Sequence, residues 1–445
     1  MHNLRMTPRE LAEQICATLR RHGHQAYFVG GCVRDLELGR EPADYDVCTD
    51  ARPDRVQELF PRSLAVGAKF GVILVVDEAA QVEVATFRSD IGYSDGRHPD
   101  CVVYSDSPEE DVRRRDFTIN GLLMDPATKE VLDVVGGRAD LKAGIVRAIG
   151  DPFLRFQEDK LRMLRAVRFA ARFGFQIEPE TMRAAKSLAP RILEVSLERI
   201  RDELTKLLTE DAARRGFELL DDTGLLAVVL PDVARMKGVE QPPQFHPEGD
   251  VWIHTRMMLE MLPPNCSPTL AWGVLLHDVG KPPTFSPAAG PGTRIRFDGH
   301  VEVGARMAEY ICRNLRFSNQ DIEQIEALVA NHLRFKDVPQ MRTATLKRFV
   351  RLPQFEEHME LHRLDCLASH GSLEMYNFVR NFLAETPPEA VRPPKLVTGD
   401  DLKDMGFVPG PRFKEILSAV EEAQLEGRLS DRESALQFAR SMSRL

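Results

Sequence analysis

The pattern of apolar residues changes from short runs to a helical period partway along the chain. Residues 8 to 22 have helical spacing behind Thr7, Pro8 and Glu10, which is typical of a capped helix start. The segment that follows mixes the apolar runs AYFVG, GVILVV, QVEVATF and EVLDVV with turns rich in Gly and Asp, a pattern typical of β-strands. From Phe153 onward almost every segment has helical period. The pattern therefore predicts an α+β head followed by an all-helical remainder.

Two proline-rich stretches interrupt the helical part. QPPQFHPEGD lies near residue 241 and ETPPEAVRPPK lies near residue 390, and breaks of this kind favour domain boundaries. The longest apolar runs fall far short of the about 20 residues that a membrane helix needs, and the N-terminus lacks the apolar core of an export signal. We therefore expect a protein without membrane segments, with a head, a helical neck, a third region and a short tail.

Composition predicts the cellular compartment and gives a net charge that argues against a nucleic-acid partner. The 445 residues include 43% hydrophobic residues, enough for large cores, and seven scattered cysteines without a CxxC pair, which favours reduced thiols in the cytoplasm. The 59 basic and 68 acidic residues give a net charge of -9. Taken alone, this balance argues against a nucleic-acid partner, because phosphate binding depends on Lys and Arg.

A glycine pair followed by two carboxylates carries the first candidate chemistry. In FVGGCVRDLELGREPADYDVCTD, Gly30 and Gly31 end an apolar strand, Arg34 follows, and Asp44 and Asp46 form a DxD motif. Residues two apart in a strand point to the same side, so both carboxylates can reach the same magnesium ions. Such ions can activate a hydroxyl and neutralise a leaving pyrophosphate. A lone DxD is typical of solvated acids, but the preceding GG and VRD favour the metal site.

Further segments supply candidate partners for this site. Glu83 in QVEVATF fits a third metal-side carboxylate and an edge-strand surface acid equally well. In RRRDFTINGLLMD, Arg114 and Arg115 are candidates for binding phosphates, Asp116 for accepting a ribose hydroxyl and Asn120 for supporting the loop. An arginine triplet alone is usually solvated surface.

A strongly basic stretch follows the arginine triplet. FLRFQEDKLRMLRAVRFAARFGF is predicted to be one helix in which Asp159, Arg162 and Arg165 lie along one face at i, i+3 and i+6. Spacing alone fits a nucleotide-binding face and an exposed salt-bridged helix equally well.

Five motifs together resemble one known family. GGCVRD...DYD, RRDFTIN, DVVGGRADLKAGIVRAIGDP, EDKLRMLRAVRFAARFGF and ERIRDELTKLL have the order and spacing of the class II tRNA nucleotidyltransferases, the CCA-adding enzymes, and the related bacterial poly(A) polymerases. The resemblance covers about the first 210 residues. It implies a polymerase-β-like head that transfers CMP and AMP from CTP and ATP to the tRNA 3′ end without a nucleic-acid template. The last motif resembles the neck that braces the template helix, which implies structural roles for Glu203 and Lys206.

The resemblance also implies roles for individual residues. Asp44 and Asp46 would carry the catalytic Mg2+ ions, with Glu83 as the third catalytic candidate. Asp159 and Arg162 would act as an amino-acid template, because a carboxylate and a guanidinium offer acceptors and donors that can pair with the edge of C or A and reject G and U. The implied nucleotide-binding residues are Gly31, Arg34, Arg115, Asp116, Asp159, Arg162, Arg165 and Arg168.

The segment between the first two motifs resembles the flexible loop of the family. It contains Asp90, Tyr93, Asp95, Gly96 and Arg97, which suit a mobile polar loop that helps the site switch from CTP to ATP. Enzymes that add only CC lack an intact loop, and poly(A) polymerases have a basic run where this chain has VGAKFGVILV. Both subtypes are therefore disfavoured, whereas a dedicated A-adding enzyme stays open.

A series of histidines and aspartates forms a second candidate site. VWIHTRM, LLHDVGKP, FDGHVEVGA, VANHLRF and LHRLDCLASHG supply His254, His277, Asp278, His300, His332 and Asp365. Imidazole and carboxylate suit borderline divalent metals. The series resembles the HD phosphohydrolase superfamily, which implies hydrolysis of phosphate esters by metal-activated water, with a divalent transition metal and room for a second ion. Lys281 would steady a phosphate, and His246 is a further candidate ligand.

These expectations give four domains. They are a nucleotidyltransferase head at 1–150, a helical neck or RNA-binding region at 151–240, an HD phosphohydrolase-like domain at 241–389 and a helical tail at 390–445. The expected function is CCA addition with an HD activity, with tRNA, CTP and ATP as partners, no membrane, and Mg2+ as cofactor. The alternatives are a dedicated A-adding enzyme or a poly(A) polymerase and, from another class, an HD phosphohydrolase with a non-catalytic RNA-binding head. The sequence leaves the oligomeric state open.

The positions of the charges remove the contradiction posed by the net charge. Arginines gather at 113 to 115 and 155 to 172, while part of the acidic excess lies in the cation-binding and loop carboxylates. Global charge is therefore the wrong scale on which to exclude a nucleic-acid partner.

Overall fold

The computed structural model describes residues 6–67, 71–91, 101–290 and 293–442. The chain divides into two compact units, Met1–Ala234 and Arg235–Leu445. The predicted loop residues Tyr93, Asp95, Gly96 and Arg97, and the side chain of Asp90, lie outside the described residues. Within the described ranges, no helix is long and apolar enough to cross a membrane.

The first unit contains the β-strands, as the apolar runs predict. They are β1 Ala26–Val29, β2 Asp46–Thr49, β3 Ser63–Gly67, β4 Val72–Val76, β5 Gln81–Thr86, β6 Arg88–Ile91, β7 Cys101–Tyr104, β8 Leu122–Met124, β9 Val131–Asp133, β10 Ile145–Val146 and β11 Gln176–Ile177. Seven of them form one sheet in the order β3-β4-β5-β2-β1-β8-β9. In its centre, β2 pairs antiparallel with β1 and parallel with β5. Alternation in β5 buries Val82 and Val84 and leaves Glu83 exposed on the other face.

Helices surround this sheet and continue beyond it to the end of the first unit. They are α1 Pro8–Arg21, α2 Gly31–Glu37, α3 Pro53–Leu59, α4 Pro108–Arg113, α5 Gly137–Ala143, α6 Pro152–Glu158, α7 Leu161–Phe173, α8 Pro179–Leu188, α9 Leu197–Thr209, α10 Ala213–Asp222, α11 Leu225–Val229 and α12 Pro231–Ala234. The predicted start of α1 is confirmed, since Thr7 and Glu10 form a reciprocal capping box. The predicted α+β head with a helical continuation is confirmed as well.

The prediction of one continuous basic helix is wrong at Asp159. α6 ends at Glu158, α7 begins at Leu161, and Asp159 between them has extended backbone angles of φ -144° and ψ 105°. The Asp159 carboxylate accepts the backbone N–H of Leu161 at 3.0 Å. An Asp side chain can replace a backbone acceptor in this way, which favours a helix start over a helix interior. Asp159 therefore lies at a joint and does not share a helical face with Arg162.

The second unit is helical. Its helices are α13 Val251–Glu260, α14 Pro268–Leu276, α15 His300–Asn314, α16 Asn319–Asn331, α17 Thr343–Phe349, α18 Phe355–Ala368, α19 Glu374–Glu385, α20 Pro388–Val391, α21 Gly399–Asp404, α22 Pro411–Leu425 and α23 Arg432–Ser441. α14 is buried along most of its length, and it contacts α13, α16 and α18. The last three helices enclose a small core of their own, which includes Leu402, Ile416 and Val420.

Gly280 allows the close approach of two segments in the second unit. A Cβ atom there would overlap the backbone carbonyl oxygen of His300 and the backbone nitrogen of Gly304. Because backbone atoms cannot move aside as a flexible side chain can, even one methyl group would force these segments apart.

We expect Gly280→Ala to lower the free energy of unfolding by about 1–3 kcal/mol, the usual cost of overpacking. Urea denaturation of the full chain measures this change. Gly399→Ala is the matched control, because a Cβ there would meet no atom within 4 Å. Equal stability of the two variants would contradict the close approach.

Candidate functional sites

Three carboxylates lie together at the centre of the seven-stranded sheet. Asp46 is the first residue of β2, and its register partner in the parallel strand β5 is Glu83. Asp44 precedes β2, so the expectation that the whole DxD motif lies within a strand is wrong. Burial raises the pKa of Asp46 to about 6, and Glu83 and Asp44 add to this shift while Arg115 opposes it. Neighbouring carboxylates that repel one another in this way favour a bound cation.

Arg115 lies beside these carboxylates and is held there by Asp111. Its Nη2 donates to Oδ2 of Asp111 at 2.9 Å, and Arg114 donates to the other oxygen of Asp111 through Nε at 2.9 Å and Nη2 at 2.6 Å. Asp111 is fully buried. A Cβ at Gly30 would lie 3.3 Å from Nη1 of Arg115, and Gly30 has a φ of +73°. Glycine at this position therefore provides both the turn and the space for the guanidinium.

Asp116 connects the head to α7. Its Oδ2 accepts Nε and Nη2 of Arg165 at 2.8 and 2.7 Å, and its Oδ1 accepts Nδ2 of Asn120 at 3.0 Å and the N–H of Phe117 at 2.8 Å. Burial alone would raise the pKa of Asp116, but Arg165 and Asn120 hold it at about 2. These four bonds use about the whole acceptor capacity of a carboxylate, so accepting a ribose hydroxyl would require one of them to yield. The predicted ribose contact stays a prediction.

Arg34 lies in the interior, only 5% exposed. Its Nη1 donates to Oδ1 of Asn120 at 2.6 Å, and its Nε donates to Asp35 at 2.9 Å. The guanidinium carbon lies 5.2 and 4.7 Å from the ring centroids of Phe169 and Phe173, a favourable cation–π arrangement. Arg34 therefore joins α2 to α7, whereas its predicted contact with a triphosphate stays a prediction. Neighbouring Gly31, also predicted to bind the nucleotide, is the first residue of α2.

The predicted template residues are anchored separately. Oδ2 of Asp159 accepts Nη2 of Arg199 on α9 at 2.7 Å. Nη1 of Arg162 donates to Oε2 of Glu158 at 2.6 Å. Arg168 faces the neck, where its Nε donates to Oε1 of Glu203 at 2.5 Å. Its predicted nucleotide contact stays a prediction.

Three histidines of the second unit have the same internal hydrogen bond. The Nδ1 atoms of His277, His300 and His332 lie 2.8, 2.8 and 2.7 Å from the carbonyl oxygens of Val274, Phe297 and Val329, respectively. A carbonyl can only accept, so Nδ1 carries a proton in each ring, and in a neutral ring Nε2 then keeps a free electron pair. This tautomer and this support are typical of histidines that bind a metal.

The Nε2 atoms of these histidines converge on Asp278. His277 Nε2 lies 3.1 Å from Oδ2 of Asp278, and the Nε2 atoms of His300 and His332 each lie 3.9 Å from Oδ1. Burial lowers the pKa of His332 to about 4 and also lowers that of His300, so both rings are neutral at physiological pH. Burial would raise the pKa of Asp278, but His277 and Lys281 hold it well below its usual range.

His254 completes the cluster from α13. Its Nδ1 lies 2.6 Å from Oε1 of Glu248, and its Nε2 lies 3.2 Å from Oδ1 of Asp365. Burial lowers the pKa of His254, but Asp365 and Glu248 outweigh burial and raise the pKa to about 9. Two carboxylates around one imidazole thus favour a positive charge, which a divalent cation bound at Nε2 would also supply. His246 also contacts Glu248: Nδ1 of His246 lies 2.9 Å from Oε1 of Glu248.

The donor set fits a divalent metal. The ligand atoms fall into close groups, two of which share Asp278: His254, His277 and Asp278, and Asp278, His300 and His332. Among the described residues, the buried Nε2 atom of His300 has no hydrogen-bond partner, and the Nε2 atoms of His254 and His277 lie 3.2 and 3.1 Å from carboxylates without good hydrogen-bond geometry. Unpaired buried nitrogen atoms are costly, and a metal ion would satisfy them.

Lys281 lies beside the histidine cluster and contacts Asp278 and Gln241. Its Nζ lies 2.7 Å from Oδ2 of Asp278 and donates to Oε1 of Gln241 at 2.6 Å. Lys281 is 6% exposed, so its amino group acts as a buried counter-charge to Asp278. Its predicted contact with a phosphate stays a prediction.

Sequence reasoning missed several supporting residues. Asp111, Arg199, Glu248 and Gln241 each contact a predicted site residue. Of these, only Arg199 lies within one of the five motifs, and no role was predicted for its side chain. Asp111 had a local signal, since it precedes Arg114 and Arg115 by three and four residues, a spacing at which helical side chains meet. Arg199 and Gln241 each act across 40 residues, for which the chain carries no local signal. Glu248 is only six residues from His254, but it lies in a turn without a regular spacing.

Comparison with family models assigns three regions of the chain. The model for a poly A polymerase head domain matches residues 26–147, and the model for a probable RNA and SrmB-binding site of polymerase A matches residues 174–237. The HD domain model matches residues 250–368. The predicted nucleotidyltransferase head and HD domain are therefore confirmed, and both domain types imply the use of divalent metals.

Curated relatives resemble mainly the first half of the chain. The CCA-adding enzyme of Geobacillus thermodenitrificans is 43% identical over 227 residues, which cover 51% of this chain and 56% of the relative. The CCA-adding enzyme of Levilactobacillus brevis is 45% identical over 216 residues, 48% of this chain and 54% of the relative. In these matches the chain spans about half the length of the relatives.

Solved structures resemble nearly the whole chain. The Bacillus stearothermophilus CCA-adding enzyme in complex with CTP matches with a TM-score of 0.75 and 27% identity, over 98% of both chains. The Thermotoga maritima CCA-adding enzyme complexed with tRNA_CCA matches with a TM-score of 0.57 and 19% identity, over 97% of this chain and 95% of the other, which supports the fold alone. The chain thus has a fold similar to that of CCA-adding enzymes.

We expect Glu248→Ala to weaken binding of a divalent metal to the second unit by about 10- to 100-fold, the usual cost of removing a group that orients a metal-bound histidine. Calorimetric titration of the full chain with Mn2+ and Zn2+ measures the affinity. Glu240→Ala is the matched control, because Glu240 is an exposed acid in the same segment. Unchanged affinity in Glu248→Ala would show that His254 does not depend on Glu248.

Proposed function

We propose that the chain is a tRNA nucleotidyltransferase that adds CMP and AMP, from CTP and ATP, to the 3′ end of tRNA. The observation that carries this proposal is the cluster of Asp44, Asp46 and Glu83 beside Arg115 in the head. The proposal is supported by the similarity to CCA-adding enzymes, of which the Bacillus stearothermophilus structure contains CTP.

The residues of the head fit the requirements of this reaction. Asp44 and Asp46 would hold Mg2+, which would activate the attacking hydroxyl and neutralise the leaving pyrophosphate. Arg115 is held by Asp111 close to Asp46, where its free donors can bind the triphosphate. The backbone at Gly31 lies next to the Gly30 turn, which lets a phosphate approach closely.

Asp159 and Arg162 provide the basis for choosing the nucleotide. A carboxylate oxygen accepts the exocyclic amino group that C and A share, whereas U and G present a carbonyl oxygen at the corresponding position. A guanidinium donates to the ring nitrogen and carbonyl acceptors of the same edge. The pair therefore favours C and A over U and G through hydrogen bonds from the protein alone.

We propose a phosphohydrolase activity for the second unit as well. Its support is the pair of three-ligand groups that share Asp278, with unpaired Nε2 atoms facing that carboxylate. A divalent transition metal bound there supplies an activated water for hydrolysis of a phosphate ester. Histidines that stay neutral at physiological pH keep their Nε2 atoms available for this metal.

The four-domain division and the cytoplasmic location belong to the same proposal. Two of the family matches end at residues 147 and 237, which supports boundaries near 150 and 240. The HD match ends at residue 368, before the proposed boundary at 389. The buried cysteines Cys16, Cys32, Cys48, Cys312 and Cys366 are free thiols, as expected in a reducing compartment.

Three tRNA transcripts test the primary activity. We expect a transcript that ends before CCA to gain all three nucleotides with CTP and ATP together, one that ends after the first C to gain C and A, and one that ends after CC to gain one A with ATP alone. Gel analysis of the labelled products measures the additions. Extension of the last transcript only would indicate an A-adding enzyme, and long A tails would indicate a poly(A) polymerase. No extension of any transcript would favour a non-catalytic head.

We expect Asp44→Ala to reduce the rate of nucleotide addition by at least about a hundredfold, because metal ions contribute several kcal/mol to stabilising such a transition state. Hydrolysis of a phosphodiester by the second unit should not change. Asp54→Ala is the matched control, since Asp54 is another exposed aspartate of the head. If Asp44→Ala still extended tRNA at the normal rate, the assigned site would be wrong.

A further inference from the structure

We propose that Arg199 is a positioning residue for nucleotide selection, acting through the carboxylate of Asp159. This inference rests on the proposed function, because it concerns the choice between nucleotides in that reaction. Arg199 lies on α9 in the neck, 40 residues after Asp159. Arg199 belongs to ERIRDELTKLL, the motif that resembles the neck bracing the template helix. That resemblance implies structural roles for Glu203 and Lys206, and it assigns no part in nucleotide selection to Arg199.

The contact between the two side chains is bidentate. Nη2 of Arg199 donates to Oδ2 of Asp159 at 2.7 Å, and Nη1 donates to Oδ1 at 3.3 Å. The side chains are 22% and 15% exposed, respectively. A bidentate guanidinium–carboxylate pair fixes the plane of the carboxylate as well as its position. Arg199 therefore determines the direction in which the remaining electron pairs of Asp159 point.

Asp159 has little other support. The backbone N–H of Leu161 donates to Oδ1 at 3.0 Å, and the residue itself lies in the extended joint between α6 and α7. Without Arg199, one hydrogen bond to a single oxygen would leave the carboxylate free to turn about it. The break between α6 and α7 thus determines the position of Asp159. The orientation of its carboxylate depends on Arg199 of α9.

Arg162 is anchored independently of Arg199. Its Nη1 donates to Oε2 of Glu158 at 2.6 Å and to the carbonyl of Arg155 at 2.9 Å, and its Nη2 donates to the carbonyl of Arg114 at 3.3 Å. These contacts come from α6 and from the end of α4. Removal of Arg199 would therefore disturb the acceptor of the template pair and leave its donor in place.

The remaining acceptor capacity of Asp159 explains why orientation matters. A carboxylate offers about four acceptor directions, and Arg199 and Leu161 occupy three of them. About one direction is left for the amino group of C or A. A carboxylate held in one orientation repels the carbonyl oxygen of U or G, whereas a mobile one can turn away and tolerate it.

The test measures selectivity, since a purely structural role would not change it. We expect Arg199→Ala to lower the ratio of kcat/KM for CTP to kcat/KM for UTP on the order of tenfold, the size of discrimination that one well-oriented base contact provides. Arg199→Lys keeps the charge without the bidentate geometry and should lose part of this ratio. Its milder change keeps the test usable if Arg199→Ala folds poorly, and the melting temperature of each variant is measured in parallel.

Two comparisons separate positioning from stability. Arg183→Ala is the matched control, because Arg183 forms an exposed pair with Glu180 on the neck helix α8. In an Asp159→Ala background, Arg199→Ala should cause no further loss of selectivity, because the group that it positions is already absent. Equal selectivity of Arg199→Ala and the unmodified chain, or additive losses in the double variant, would overturn the inference. Absence of any tRNA extension by the unmodified chain would overturn the proposed function instead.

Discussion

The buried carboxylate of Asp116 is the interaction on which the geometry of the first unit depends. It receives Arg165 from α7 on one oxygen and Asn120 on the other, and Asn120 in turn receives Arg34 from α2. Burying a charge is costly unless it is paired and hydrogen-bonded, so each member of this chain requires the next. The loop that contains Asp116 and the helix that contains Arg165 are thereby fixed to one another. This connection links Arg115, which lies beside Asp46, to the helix that contains Arg162, a residue proposed to recognise the base.

The second unit also holds buried polar groups in fixed hydrogen bonds, here around a cluster of histidines and carboxylates. Its histidines use backbone carbonyls to fix their Nδ1 protons, and burial keeps His300 and His332 neutral. His254 is the exception, because Glu248 and Asp365 favour its charged form. The charge on His254 offsets the surplus of carboxylates, and a divalent metal would take over that task. The surrounding carboxylates therefore favour a cation in this cluster, whether it is a proton on His254 or a metal ion.

The sequence predicted the elements and the ligand types because both have local signals. The apolar alternation of β5 and the helical period of α7 depend on spacing along the chain, as do the DxD and HD motifs. The break at Asp159 was missed because the helical period continues on both sides of it, while its cause is a single side-chain contact with Leu161. The contact of Arg199 with Asp159 was missed because it joins residues 40 apart through tertiary packing. The contact of Glu248 with His254 was missed because it forms in a turn, where regular spacing gives no signal.

The arginines of α7 are each paired with a carboxylate and still have N–H groups that can recognise a ligand. Arg162, Arg165 and Arg168 each face a carboxylate, from Glu158, Asp116 and Glu203, respectively. The stretch that looks strongly basic in sequence is thus largely compensated in space, so neither global nor local charge along the chain measures the field that a nucleic acid would meet. A compensated guanidinium still has donors at fixed angles, because it carries five N–H groups. This arrangement favours recognition of one nucleotide by directed hydrogen bonds over a general attraction to phosphate, whose strength would fall with added salt.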